Sequence, residues 1–354
     1  MNYREANRNS VWCILPPHIL REIAKRGTPA QREFAVDTLG ADHSLRSGRA
    51  TFQLLSTNAH KLIAARAAGG EAHITIYDAQ HGQRLPGQVV ANPNESKDVE
   101  VTEAFKGLLA TYSFYWEVFN RNSIDDHGLP LIGSVHYSRK YDNAFWNGQQ
   151  MVFGDGDGEI FQRFTISIDI IGHELTHGVT GDTANLDYQD QPGALNESVS
   201  DVFGSMVKQY SANPKQTAEN ADWLIGEGIF MPGIKGKALR SMRDPGSAYD
   251  DPTLGKDPQP GTMAGYVDTD QDSGGVHINS GIPNHAFYLA ATNLGGHSWD
   301  KAGPIWYATL RDQALRPVVK FADFARITID NAQDLFGSQE AEAVRDAWHK
   351  VGVR

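Results

Sequence analysis

His173-Glu174-Leu175-Thr176-His177 is led into by Ile166, Ile168, Ile170 and Ile171 and followed by Gly178 and Gly181. This pattern predicts a helix over about 167–180. Residues four apart share one helix face, so both imidazoles can reach a single ion while Glu174 stands beside it. His-Glu-x-x-His on a helix is a zinc pattern in which the glutamate acts as general base. A catalytic zinc takes three protein ligands and keeps one position open. The nearest suitable third ligand downstream is Glu197, in Asn196-Glu197-Ser198-Val199-Ser200-Asp201. Asp201 lies one turn further on the same face, placed to accept the remaining N–H of a ligating histidine. The blander alternatives are a buried helix with two satisfied histidines and a solvated Glu197/Asp201 face.

Around this stretch the chain has 354 residues, 40% hydrophobic and 10% aromatic, enough for a sizeable core and about two domains. The net charge of −11 argues against nucleic-acid and polybasic membrane partners. The charge is uneven: +5 over residues 1–66 and −16 over 67–354. The sole cysteine, Cys13, excludes an internal disulfide and a four-cysteine zinc module. The first twenty residues lack the apolar core of a secretory signal, and no run is long enough to span a bilayer. A soluble chain without a classical signal peptide is expected.

Pro16-Pro17 precede a helix-like run ending at Gly27. Thr28 and Pro29 open a second helix expected to stop at Gly40, and Asp42 to about Gly70 reads as a linker or cleavage region. Strands are expected at 73–77, 131–138 and 151–153, with a helix near 102–121 and a loop from Tyr141 to Gly148. Further helices are expected near 167–180, 194–210, 283–293, 301–314, 321–335 and 339–350, the last with Ser338 as N-cap. Strands first and helices later suggest an α+β half followed by a mostly helical half. Gly154-Asp155-Gly156-Asp157-Gly158 lacks a following Gly-Lys-Ser/Thr and reads as a hairpin turn. Asp268 to Asp272 begins like an EF-hand loop, but Ser273 and Asn279 break the pattern.

The sequence resembles the thermolysin family of zinc metallopeptidases. The matching blocks are Tyr141-Asp142-Asn143-Ala144-Phe145-Trp146, the zinc helix, the Glu197 block, Ala238-Leu239-Arg240-Ser241-Met242, and Gly274-Gly275-Val276-His277-Ile278-Asn279-Ser280-Gly281. They cover about residues 71–354. The resemblance implies an α+β, two-lobed fold, with a β-rich lobe (66–182) ending in the zinc helix and an α-helical lobe (183–354). It implies one catalytic Zn²⁺ on His173, His177 and Glu197, with Asp201 behind, and Glu174 taking a proton from zinc-bound water. His277 and Tyr188 match the donors that stabilise the oxyanion, and Asp272 matches the residue orienting His277. Arg240 matches a position binding a substrate carbonyl. Asn143 and the Ala144 backbone match groups bonding the peptide on either side of the cut. Phe164, Ile170, Ile225 and Leu239 fall at pocket-wall positions, implying a bulky apolar residue just after the cut.

Two departures bear on function. Asp169, Asp222 and Glu227 match family calcium ligands, but Lys208 and Leu224 stand where further acids belong. An ammonium there repels Ca²⁺, so the double calcium site is expected to be absent. Residues 1–65 resemble the short propeptide of protealysin-like members through Pro16, Pro17 and Leu20, with a boundary between 45 and 70. A basic propeptide would dock on an acidic enzyme and act as its intramolecular inhibitor. Cys13 is either a thiolate zinc ligand in the precursor or a small apolar filler. The resemblance implies a monomeric endopeptidase made as a proenzyme and acting on peptides and proteins. It also implies export by a non-classical route, with a cytoplasmic location as the alternative. The competing readings are a zinc aminopeptidase and a catalytically silent, zinc-containing peptide-binding protein.

Overall fold

The computed structural model of the chain describes residues 12–47 and 69–354. The 45–70 boundary falls mostly outside the described residues. A six-stranded mixed sheet forms one lobe, built from β1 (Trp12–Cys13), β2 (Ile74–Asp78), β3 (Gln88–Val89), β4 (Leu131–Val135), β5 (Ala144–Trp146) and β6 (Met151–Phe153). The spatial order is β1-β5-β6-β4-β2-β3. β2, β4 and β6 run parallel, while β5 is antiparallel to both β6 and β1. Tyr141 to Gly148 is therefore not a loop throughout, since its centre is β5. Its residues Ala144, Phe145 and Trp146 are buried, and the strand is made by hydrogen bonds from both neighbours rather than by alternation.

One face of the sheet is covered by α3 (Val99–Phe119), which presents Val101, Ala104, Leu108, Tyr112 and Tyr115 at helical spacing. Asp98 caps it by accepting from the amides of Glu100 and Val101. His136, just after β4, lies between Asp98, Glu100 and Asp155 at 2.7–3.0 Å. Hydrogen bonds to Asp155 and Glu100 raise this imidazole to about 11, so it is a fixed cation pinning α3 to the sheet.

The N-terminal segment folds as β1, α1 (Pro17–Arg26) and α2 (Pro29–Ser47). α2 does not stop at Gly40. Its continuation places Asp42 in a buried position, where it accepts hydrogen bonds from Tyr141 Oη at 2.6 Å and Asn143 Nδ2 at 2.9 Å. These bonds offset the roughly 1 kcal/mol that glycine costs inside a helix. Pro16, Pro17 and Leu20 are buried against the rest of the chain.

The two lobes meet along α4 (Ile168–Asp182) and α5 (Asp190–Ser211). These helices cross where Gly172 faces Gly204. A methyl on Gly204 would lie 2.5 Å from the Asp169 carbonyl and 3.0 Å from the His173 amide nitrogen. The glycine pair thus lets the backbones approach, and His173 lies on that contact. The helical lobe adds α6 (Asp272–Asn279), α7 (Gly281–Leu294), α8 (Ala302–Arg311), α9 (Phe321–Leu335) and α10 (Ser338–Lys350). Trp306 stacks on Trp348, whose indole N–H donates to Thr328. Ser338 is the first residue of α10 rather than its cap, a position held by Gly337. Short ladders join β7 (Leu224–Ile225) to β8 (Arg240–Ser241) and β9 (Asp250–Asp251) to β10 (Gly255–Lys256).

Gly154 to Gly158 is not a hairpin turn, because the chain leaving β6 does not pair back onto it. Instead Gly156, at φ +74°, donates to the Tyr141 carbonyl, and Asp157 Oδ1 accepts from the amides of Glu159, Ile160 and Phe161.

Candidate metal centre

α4 carries His173 and His177 on one face, and α5 brings Glu197 opposite them; all three are buried. Their candidate ligand atoms lie within 4.8 Å of one another. His173 Nε2 is 3.4 Å and His177 Nε2 3.5 Å from the Glu197 carboxylate. The other ring nitrogens are already committed. His173 Nδ1 meets Asp201 Oδ1 at 2.8 Å, and His177 Nδ1 meets Asn196 Oδ1 at 2.8 Å. With both Nδ1 atoms committed, the two Nε2 atoms turn toward each other at 3.1 Å. Glu197 Oε2, beside them, is buried with no hydrogen-bond partner, and a cation held among the three groups would satisfy them. Two imidazoles and a carboxylate are a donor set that suits Zn²⁺.

Burial lowers His177 to about 3, which keeps it neutral. Burial opposes charge on His173 and on Glu197. The carboxylates of Asp201 and Glu197 nevertheless raise His173, and His277 and His177 hold Glu197 well below the usual range. Burial, reinforced by the charge of Glu197, pushes Glu174 well above the normal carboxyl range. Glu174 Oε2 accepts from the Trp146 amide at 3.0 Å, and its Oε1 is buried without a partner.

Facing this cage, His277 Nδ1 meets Asp272 Oδ1 at 2.7 Å, and the His277 amide donates to Asp272 Oδ2 at 2.9 Å. α6 is kinked here, with Ser273, Gly274 and Gly275 all at positive φ, and this turn lets Asp272 reach back. Its place in that turn disposes of the EF-hand reading. Burial opposes protonation of His277, but Asp272 and Glu197 raise it, and its Nε2 lies 3.5 Å from the Glu197 carboxylate. That nitrogen is 3.3 Å from the Tyr188 hydroxyl, which itself donates to Glu197 Oε1. Arg240, buried on β8, grips Asp201 with Nε and Nη2 at 2.8 Å each.

Phe164, Ile170, Ile225 and Leu239 are all buried in the main apolar core. Lys208 Nζ sits within an acidic trio, 2.9 Å from Asp222, 3.2 Å from Glu227 and 3.6 Å from Asp169. The Cys13 side chain packs with Tyr137, Tyr141, Phe145 and Val152, apart from the metal cluster. Asn196, the Trp146 amide and Asn284, whose Nδ2 donates to Asp201 at 2.8 Å, are site groups the sequence reading missed. Asn196 had a signal, since it directly precedes Glu197; the other two are joined to the site only by folding.

A buried cage of two histidines and a glutamate, with a second glutamate beside it and an imidazole–phenol pair facing it, defines a metallopeptidase. The chain belongs to the thermolysin metallopeptidases. Residues 40–181 match the model of the family's catalytic domain and residues 184–353 that of its alpha-helical domain. It is similar to an extracellular metalloprotease of Pectobacterium carotovorum subsp. carotovorum, 52% identical over 96% of both chains. It is likewise similar to protease PrtS of Photorhabdus sp. (strain Az29), 46% identical over 99% of this chain and 94% of the relative. Among solved structures, the precursor of protealysin, a metalloproteinase from Serratia proteamaculans, superposes with a TM-score of 0.88. It shares 54% identity and covers 97% of this chain and all of that one. The chain is accordingly a metalloendopeptidase, and its family implies zinc.

Proposed function

We propose that this enzyme is made as a proenzyme and cuts peptide bonds on the amino side of bulky apolar residues. His173, His177 and Glu197 would hold the zinc. The observation carrying the proposal is the convergence of two buried imidazoles and a buried carboxylate whose candidate ligand atoms lie within 4.8 Å of one another. When bound there, zinc polarises the scissile carbonyl and makes water nucleophilic near neutral pH. Glu174, held by the Trp146 amide through one oxygen, accepts the proton of water on the other and delivers it to the leaving nitrogen. His277 and Tyr188 donate to the oxygen that gains charge, and Asp272 fixes the His277 tautomer. Arg240 and Asn143 align the peptide, and Phe164, Ile170, Ile225 and Leu239 supply the apolar wall for the residue after the cut.

The N-terminal segment is read as a propeptide that inhibits by covering this site, with removal by a cut beyond α2. Lys208 supplies the positive charge that its acidic trio requires, so no calcium is expected there. Export follows from the likeness to extracellular proteases. The decisive test compares wild type with Glu174→Gln on casein and on an N-terminally blocked, internally quenched peptide, with and without a zinc chelator. A loss of 10²–10⁴-fold is expected in the variant. Equal turnover in the two proteins sinks the mechanism.

A further inference from the structure

The parallel strands β2, β4 and β6 lie side by side, and His81, His136 and Asp155 each stand just past the carboxyl end of one of them. The carboxyl edge of parallel strands is a common seat for a ligand in open sheets. The Ala79 amide donates to the Val135 carbonyl at 3.0 Å and the His81 amide to the His136 carbonyl at 2.8 Å. The β2–β4 ladder thus carries on past both strands and sets the two imidazoles together, with ring centroids 5.3 Å apart. Asp155 reaches both rings, with Oδ2 3.1 Å from His81 Nδ1 and Oδ1 3.0 Å from His136 Nδ1. The ligand atoms of these three residues all lie within 4.8 Å of one another. Glu100, in the first turn of α3, brings Oε2 to 2.7 Å from His136 Nδ1. Adjacent donors around a tetrahedral ion with bonds of about 2.0–2.1 Å lie roughly 3.3 Å apart, close to these separations. His136 Nδ1 has one N–H for two carboxylate oxygens, and the buried Glu100 Oε2 is the one left unsatisfied. On the other side of the ring, Nε2 is 2.9 Å from Asp98 Oδ2, as a carboxylate behind a metal-bound histidine would be. The His81 side chain is 53% exposed, so an ion can enter from solvent.

We propose that this cluster is a second zinc site, structural in role, in which His81 Nδ1, His136 Nδ1, Asp155 and Glu100 hold one Zn²⁺. It shares no residue with the cage of His173, His177 and Glu197 and stands whatever that cage does. In the metal-free chain the His136 imidazolium is the cation that Asp98, Glu100 and Asp155 share. Zinc takes over that role. The Nδ1 proton leaves to solvent, the neutral ring keeps its Nε2–H on Asp98, and the ion meets the Glu100 oxygen that the single N–H does not serve. Two imidazoles select a borderline transition ion over Ca²⁺, which takes a shell of oxygens. The bound ion joins the turn after β2, the ends of β4 and β6, and the start of α3, so it acts as a cross-link of the β-rich lobe.

Full-length protein is equilibrated with excess Zn²⁺, desalted and analysed for metal, alongside His81→Ala and Asp155→Asn. Each variant is expected to hold one zinc ion per chain fewer than wild type. Equilibration with ¹¹³Cd²⁺ gives a second view, in which wild type should show a cadmium resonance that is missing from His81→Ala. His177→Ala should keep that resonance, which assigns it to the cluster rather than to the cleft. Thermal melts of the same samples read the cross-link. Zinc should raise the melting temperature of wild type more than that of His81→Ala, and Ca²⁺ should move neither. His81 is exposed and touches no group of the cleft, so His81→Ala should fold and keep its turnover of a quenched peptide. Equal zinc uptake by wild type and His81→Ala, a cadmium resonance that survives His81→Ala, or a Ca²⁺ shift matching that of zinc overturns the proposal. None of these results bears on the reading of the catalytic cleft.

Discussion

Asp201 and Arg240 form a buried two-pronged pair, and the same Asp201 oxygen that accepts from Arg240 Nη2 also accepts from His173 Nδ1. The proposed metal ligand His173 and the proposed substrate-aligning Arg240 are therefore fixed by one carboxylate. Burial disfavours its charge, yet Arg240 and His173 hold Asp201 at about 2. Asp201→Asn should weaken zinc binding about 10–100-fold. It should also raise KM, because Arg240 loses its partner. Competition with a chromogenic chelator reads the first effect, and steady-state kinetics at saturating zinc reads the second. Unchanged zinc affinity would show that His173 is oriented without Asp201.

Propeptide docking should weaken in acid. His18 of α1 is half-buried, with Nε2 3.0 Å from the Tyr249 hydroxyl and a buried Nδ1 that has no partner. Burial lowers it to about 4, and Arg240, His277 and Arg21 add to the effect while Asp272 opposes it. Its ordinary value is near 6.5, so the undocked state binds more protons between these limits. Docking is then fully favourable above about 6.5 and is lost as the pH falls toward 4. From this group alone, docking at pH 5 should be about 20-fold weaker than at pH 7. Hydrogen exchange of the α1 amides in Glu174→Gln zymogen measures it, and His18→Phe should flatten the profile.

Lys208 should make the enzyme indifferent to calcium. Removing the ammonium leaves Asp169, Asp222 and Glu227 facing one another. Lys208→Glu should thus lower the melting temperature without calcium and recover on its addition. At 100 times the dissociation constant the gain is about 2.7 kcal/mol. Wild type should show no calcium-dependent shift in a thermal melt.

Gly204→Ala should disturb the metal centre without touching a ligand. Its methyl would press on the Asp169 carbonyl and the His173 backbone, where nothing flexible can yield. A loss of about 1–3 kcal/mol is expected, accompanied by weaker zinc binding because His173 moves with α4. Denaturant unfolding and chelator competition on the same samples would reveal whether the two effects separate.

Much of the candidate site was legible because its proposed ligands recur at helical spacing. His173 and His177 share one face of α4, and Glu197 and Asp201 share one face of α5, so periodicity alone orients them. β5 was not legible. Asn143 to Gly148 carries turn-forming residues at both ends, and its three-residue strand exists only through pairing with β6 and β1. α2 hid its length for a related reason, since what carries it past Gly40 is the contact of Asp42 with Tyr141 and Asn143, about a hundred positions away. The kink of α6 was also unreadable, because four consecutive positive φ values are a tertiary demand that Gly274 and Gly275 permit and Asp272 and Ser273 must tolerate.

The way β1 lies along β5 limits what the enzyme can digest. Trp12–Cys13 is held along β5 as an extended strand, and a peptide bound in the same way would have to unwind from any helix before it could enter. Native globular proteins should then be cut where their chains open most readily, at loop tips and fraying ends, and at rates that follow those openings. Stably folded neighbours would pass by uncut, and damaged or partly unfolded ones would be consumed first.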